Sequence, residues 1–296
     1  MTAQTTMLDA EPGSTPIVFE EPRIRSRWSL LFRSGTFWVG AIITGFWACC
    51  AIFGPWVVPL DPFADDLMNT LGPPDALHWF GTDQLGRDVF SRVIVGARDI
   101  LTIAPLATIV GTICGTIVGL VTGYFGGIVD MLVSRVIEVM VALPLIVVAL
   151  LVLVALGPST PAVIVVIGLV FTPLIGRTVR AAVQSERDLD YVDAAQIRGE
   201  NALHIMFVEI LPNVLPPILV EMTVRLGYAI FFVASLSFLG FGIQPPSPDW
   251  GLAISENYGV IAGGYWWTVA FAAGATGSLV VGVNLLAEGI HGALTG

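Results

Sequence analysis

The sequence predicts an all-α integral membrane protein with six spans and a pair of short helices projecting from one side of the bilayer. Three observations lead there. Of the 296 residues, 55% are hydrophobic and 12% charged, with a mean hydropathy of +0.83, which a solvated globular surface does not support. The apolar residues gather in charge-free runs that meet the roughly 20 residues one bilayer crossing needs. A polar block at 178–213 interrupts those runs and carries helical apolar spacing of its own.

Residues 1–34 are acidic, then basic (Arg23, Arg25, Arg27, Arg33), and are broken by Pro12, Pro16 and Pro22. They read as a partly disordered tail, since the basic cluster is not N-terminal as a secretory signal requires. The absence of charge from Ser34 to Leu60 predicts the first span within 35–60, about Thr36–Val58. A loop at 61–99 follows with seven Asp against three Arg, then a second span over Ile100–Val129. Gly111, Gly115 and Gly119 recur every four residues in it, a face on which another helix approaches closely. The 38 uncharged residues between Glu138 and Arg177 are too many for one span and contain Gly157-Pro158-Ser159-Thr160-Pro161. They predict spans over Met131–Leu156 and Pro161–Arg177. Two more, Pro216–Phe241 and Trp266–Leu286, flank a loop at 242–264 that holds Asp249 and Glu256. Residues 100–290 thus form a five-span core, with 291–296 as a short end. Tyr265, Trp266 and Trp267 are placed as an interfacial belt.

All thirteen basic residues are Arg, so a P-loop lysine, a Schiff base and a Ser-Lys dyad are excluded. Cys49, Cys50 and Cys114 sit in apolar runs and read as packing residues, and His78, His204 and His291 show no metal spacing. No metal site is expected. With six spans the termini share a side, which collects ten arginines against three on the other. The positive-inside rule then places both termini and the 178–213 block in the cytoplasm. Arg135 with Glu138 and Glu221 with Arg225 are spaced to pair along a helix.

Within the polar block, Asp190 is an N-cap candidate with Asp193 in the capping-box position, and Tyr191–Arg198 runs without a breaker to Gly199. Asn201 caps a second pattern in which Leu203, Met206, Phe207, Ile210 and Leu211 share one face before Pro212 ends it. A helix-turn-helix over Arg177–Pro212 is an alternative, but four Arg against six acids leave that stretch at −2, which repels phosphate.

Asp193-Ala194-Ala195, Gly199 and Pro212 within Ile210-Leu211-Pro212-Asn213 resemble the EAA loop of ABC-importer permeases. Two positions depart from that pattern: Asp193 replaces its Glu, and Gln196 stands where Arg usually follows the alanines. The stretch from Phe80 to Arg92 with Gly96-Ala97-Arg98 resembles the first loop of C-type permeases of dipeptide, oligopeptide and nickel importers. Ser237–Pro246 and Asp249-Trp250-Gly251 resemble their last outer loop, and Gly123–Gly127 and Asn284-Leu285-Leu286 follow in family order. The ending departs, because Ala287–Gly292 has no cation.

The resemblance implies a type I ABC importer permease fold: half of a pore, paired with a second homologous permease subunit in the bacterial inner membrane. It implies two ATPase subunits that carry ATP and Mg, an external substrate-binding protein, no catalytic residue or cofactor in this chain, and no nucleic acid. Tyr191, Asp193, Ala194, Ala195, Gly199, Leu203, Met206, Phe207 and Pro212 are the coupling residues it implies, and Asp83, Arg87, Asp88, Arg92, Asp249 and Trp250 those of binding-protein docking or an outer gate. Short peptides are the implied cargo, with nickel chelates, glutathione or haem as alternatives. A secondary transporter or channel would place ionisable groups at the bilayer midplane or show inverted repeats; the predicted first, second, fourth and sixth spans hold no ionisable residue in their interiors.

Overall fold

A computed structural model describes residues 34–295, with side chains through Gly292; the tail at 1–33 with its four arginines lies outside the described residues. The described residues fold as helices joined by loops, with one isolated bridge among them, between Thr82 and Asp88. Helix α1, Gly35–Val57, starts where the Ser34 hydroxyl accepts from the Phe37 N–H. Helix α2, Val89–Phe125, begins well before the predicted Ile100, because its start is set by Asp88 capping the Ser91 N–H at 2.8 Å. The charge-free run marks only where hydrocarbon begins, and α2 extends past it with Arg92, Arg98 and Asp99 in its first turns.

The predicted third span is two helices, α3 (Gly127–Ala142) and α4 (Leu145–Leu156), bent by 93°. The cause is Pro144, which holds Leu143 in the extended region (φ −88, ψ 144). Helix α5, Thr160–Arg187, is capped by Ser159 and runs past the predicted Arg177. Then come α6 (Asp190–Ile197), α7 (Ala202–Phe238), α8 (Trp250–Asn257) and α9 (Trp267–Thr295). Among the described residues five helices are long and apolar enough to cross a membrane, and the bent α3–α4 pair makes six when counted as one span. The loops at 61–99 and 242–264 therefore each contain helix, and the end at 291–296 is helical through Thr295.

The α2–α5 pair is the centre of the bundle. A Cβ at Gly115 would lie 2.7 Å from the Ile175 Cβ, and one at Gly119 2.6 Å from that of Val179. The glycine face predicted for close approach therefore seats α5 at backbone distance. Helix α1 is peripheral, with 17% of its apolar window buried against 56% for α5. It packs on α9, where Trp47 donates to the Ser278 hydroxyl at 2.9 Å. The three cysteines are free thiols.

Candidate functional site

Two constructions stand at opposite ends of the bundle. At the first, α5 leads through Asp188 and Leu189 into α6. Leu189, not Asp190, holds the N-cap position, because its carbonyl already accepts from Val192 at 2.9 Å. Asp190 and Asp193 instead occupy the first turn, where the helix dipole favours acids. The end of α6 is as the sequence predicts. Gly199 has φ +79, its N–H bonds the Gln196 carbonyl at 2.9 Å, and the Glu200 N–H bonds that of Ala195 at 3.2 Å. This paired closure requires a left-handed residue. Asn201 then accepts from the His204 N–H at 2.8 Å and starts α7.

Pro212 does not end that helix. Residues Ile205–Ile210 form a π-turn in which the Leu211 N–H reaches back to Met206, so the register has widened just before a residue that lacks a donor. The predicted second helix is thus the start of α7, and α6 and this start form a knob continuous with two spanning helices.

The knob has two faces. Val192, Ala195, Ile205, Met206 and Ile210 are at most 2% exposed and pack inward. Asp193, Ala194, Gly199, Leu203, Phe207 and Pro212 face outward. Tyr191 lies between them and donates to Glu186 at 2.8 Å; burial and that carboxylate push its phenol pKa up. Of the implied coupling residues, Ala195 and Met206 are therefore internal supports. Ile197, 88% exposed, is an outward residue that sequence reasoning missed. The signal was available, since at 100° per residue it sits about 140° round from buried Val192.

Arginines bolt this end together. Arg187 donates to the carbonyls of Gly123 (3.2 Å) and Tyr124 (3.4 Å) at the end of α2. Arg180 makes a two-pronged pair with Asp130 at the start of α3, Nη2 to Oδ2 at 2.6 Å. Arg198 bridges Glu200 (2.7 Å) and Glu209 (3.1 Å). Glu200, His204 and Glu209 bring their ligand atoms within 4.8 Å, a grouping the sequence spacing did not indicate, but the Arg198 guanidinium already serves as counter-charge to both carboxylates. Arg225–Glu221 (2.6 Å) and Arg135–Glu138 (2.9 Å) pair as their spacing predicts.

At the other end, Asp83, Arg87, Asp88, Arg92, Asp249 and Trp250 are each at most 5% exposed. The resemblance implies binding-protein docking or an outer gate for these residues; in the structure their charges face one another. Arg87 binds Asp83 through Nε and Glu256 through Nη2, both at 2.7 Å. Burial works against its charge, but the two acids outweigh burial and raise its pKa. Arg92 donates to the carbonyls of Pro62 and Ser247, each at 3.1 Å. Asp88 contacts His78 Nδ1 at 3.1 Å besides capping α2. Trp250 donates to the Val93 carbonyl at 2.8 Å and Trp267 to that of Thr82 at 3.2 Å. These contacts clasp the first loop to the last. Trp267 belongs to the clasp rather than to an interfacial belt, because Gly81 opens a seat for its ring; Trp266 remains 55% exposed.

The knob and the last loop both lie within residues 115–295, and that stretch matches the family described as binding-protein-dependent transport system inner membrane component. The chain belongs to this family. It is 36% identical over 291 residues to the dipeptide transport system permease protein DppC of Alkalihalophilus pseudofirmus, covering 97% of this chain and 95% of that protein. It is 33% identical to the di/tripeptide transport system permease protein DppC of Pseudomonas aeruginosa, over 96% and 95%. It is 35% identical to the probable D,D-dipeptide transport system permease protein DdpC of Escherichia coli, over 85% and 84%. The chain is accordingly a multi-pass membrane component of a transport system.

In this transport component the clasp also buries Asp249 completely. Asp249 caps α8 through the Leu252 N–H at 2.9 Å, but its Oδ2 makes no well-directed hydrogen bond. Burial first, and Asp99 after it, push its carboxyl to about 6, although the Leu252 and Gly251 N–H groups and the nearby Ser237 hydroxyl ease it. The folded state then holds this proton more tightly than the unfolded chain does. The stability contribution is full below about pH 4 and is lost as pH rises to about 6, a difference on the order of 3 kcal/mol. Asp249→Asn keeps the cap and removes the charge. It is expected to raise the unfolding temperature at pH 7 and flatten the slope between pH 4 and 6; an unchanged slope would assign it to another group.

Proposed function

We propose that this chain is half of the translocation pore of an ATP-driven importer for short peptides. The observation that carries the coupling part of this reading is the knob's outward rim, where Ile197, Leu203 and Phe207 are 88%, 65% and 46% exposed. Apolar side chains grouped on a rigid turn fit a groove on a partner. The partners are two ATPase subunits that hold ATP and Mg. This chain has no Lys with which to build a phosphate-binding loop.

A second homologous permease completes the pore, and an external binding protein delivers the cargo. Peptide cargo is supported by the relatives, which are dipeptide and di/tripeptide transport system permease proteins. Closure of the ATPases displaces the knob, and because α6 is tied to α5 by two residues and α7 is continuous with the knob, both spanning helices follow as levers. The buried charges at the other end form the frame of an outer gate: the binding protein meets the loops that they brace.

Ile197→Asp places a charge on the rim without touching the core. It is expected to abolish co-purification of the ATPase subunits and ATP-dependent dipeptide uptake into vesicles, while the chain still inserts. Retained docking would move the contact elsewhere.

The arginine asymmetry supports cytoplasmic termini and knob in an inner membrane. In intact cells lacking other cysteines in this chain, probes at the exposed Asp75 and Gln244 are expected to label from outside and one at Glu200 is not. Labelling at Glu200 would invert the topology.

A further inference from the structure

Arg98 is the third cation of the clasp end. Arg87 and Arg92 are consumed by the clasp, whereas the Arg98 guanidinium makes no ion pair or hydrogen bond among the described residues. It stands at the junction of two concavities. One is a cleft of about 850 Å³ lined by Asp61, Phe63, Arg98, Asp99 and Pro246. The other is a groove of about 490 Å³ between α1 and α2, lined by Ala48, Ala51, Ile52, Trp56, Arg98 and Leu101.

The level of this junction in the bilayer follows from α1. Its 23 residues extend about 34 Å at 1.5 Å per residue, close to the thickness of a hydrocarbon core. Trp56, in its last turn and 76% exposed, therefore lies at the interface, as such an aromatic prefers. Arg98 shares its groove and so its depth. Below it the groove runs along the peripheral helix α1, with Ile52 60% exposed.

We infer that this junction binds one phospholipid with a phosphoethanolamine head group: phosphate on Arg98, ammonium on Asp61 and Asp99, and an acyl chain in the α1–α2 groove. The charge pattern selects this occupant. One unpaired cation flanked by two carboxylates repels a simple anion but matches a zwitterion whose phosphate and ammonium are a few bonds apart. The carboxylates have capacity left. Asp61 spends one oxygen on the Phe63 N–H at 2.9 Å, and Asp99 one on the Ser247 hydroxyl. A short peptide is also a zwitterion, but it has no use for an apolar groove on the bundle's outer face.

The test is native mass spectrometry of the purified complex from nanodiscs containing phosphatidylethanolamine and phosphatidylcholine of identical chains. The wild type is expected to retain phosphatidylethanolamine preferentially, because a trimethylated ammonium donates no hydrogen bond to a carboxylate. Arg98→Gln is expected to reduce retention about tenfold, the effect of losing one charge-assisted contact, and Arg98→Lys to keep most of it. Asp61→Asn is expected to erase the preference between the two lipids. Equal retention by wild type and Arg98→Gln overturns the proposal, as does a wild type without preference. Displacement by millimolar glycerophosphoethanolamine would show a soluble head-group site instead, and displacement by dialanine a substrate contact; either result overturns the lipid assignment.

Discussion

Arg87→Met is expected to destabilise the clasp end by about 3–5 kcal/mol, the cost of leaving one partner of a buried ion pair without the other. Asp83, 2% exposed, would keep only the backbone donors Leu85 N–H at 2.9 Å and Arg87 N–H at 3.0 Å. The Arg92 Nε, 3.8 Å from the same carboxylate and without a bond of its own, can turn toward it and moderate the loss. Glu256→Gln removes the other partner of Arg87, but that side chain is 27% exposed, so its effect is expected to stay below about 1 kcal/mol. The double variant Asp83→Asn/Arg87→Met removes both buried charges and is expected to recover much of the loss. Thermal unfolding of the solubilised complex, followed through the fluorescence of the clasp residues Trp250 and Trp267, checks the order. Equal effects of Arg87→Met and Glu256→Gln would mean that the pair is solvated.

The residues that make this clasp were legible one by one, but their partnership was not. Arg87 and Glu256 are 169 positions apart, and sequence alone offers no measure of which distant charges meet. Density of charge in a loop between spans reads as solvation unless the loop has a core, and here Trp250 and Trp267 supply one. Local signals fared better. The glycine spacing on α2 and the Gly199–Asn201 turn are fixed by backbone sterics within a few residues, so the pattern and the structure agree. Pattern and structure part at two prolines. Pro144 stands inside an apolar run that reads as one span, yet it bends the chain by 93°. Pro212 reads as a stop, yet a π-turn just ahead of it lets α7 continue. Asp88 shows why charge alone misplaces a helix start: its cap, not the edge of the hydrocarbon, sets where α2 begins.

The largest functional effect is expected from Gly199→Val. Gly199 lies at φ +79 with nothing within 4 Å of where a Cβ would stand, so the cost is conformational and owes nothing to a clash. A β-branched side chain resists that region by about 1–2 kcal/mol, too little to unfold a bundle built on the α2–α5 contact. The turn, however, is also what aims α6 relative to α7. Relaxing φ breaks the Glu200–Ala195 closure and swings Ile197 away from Leu203 and Phe207, dividing the rim that the ATPase is proposed to grip. The expected result is a complex that inserts normally but has lost binding-protein-stimulated ATPase activity and dipeptide uptake together. Asn tolerates left-handed backbone, so Gly199→Asn is expected to restore most of the activity despite being the larger intrusion by polarity, and Gly199→Ala to fall between. Asp193→Ala, which removes one first-turn charge and leaves the turn intact, is expected to be milder than the valine variant. If valine and asparagine are equally active, the left-handed turn is not what couples the knob; if they are equally inactive, the side chain itself obstructs docking and the conformational account fails.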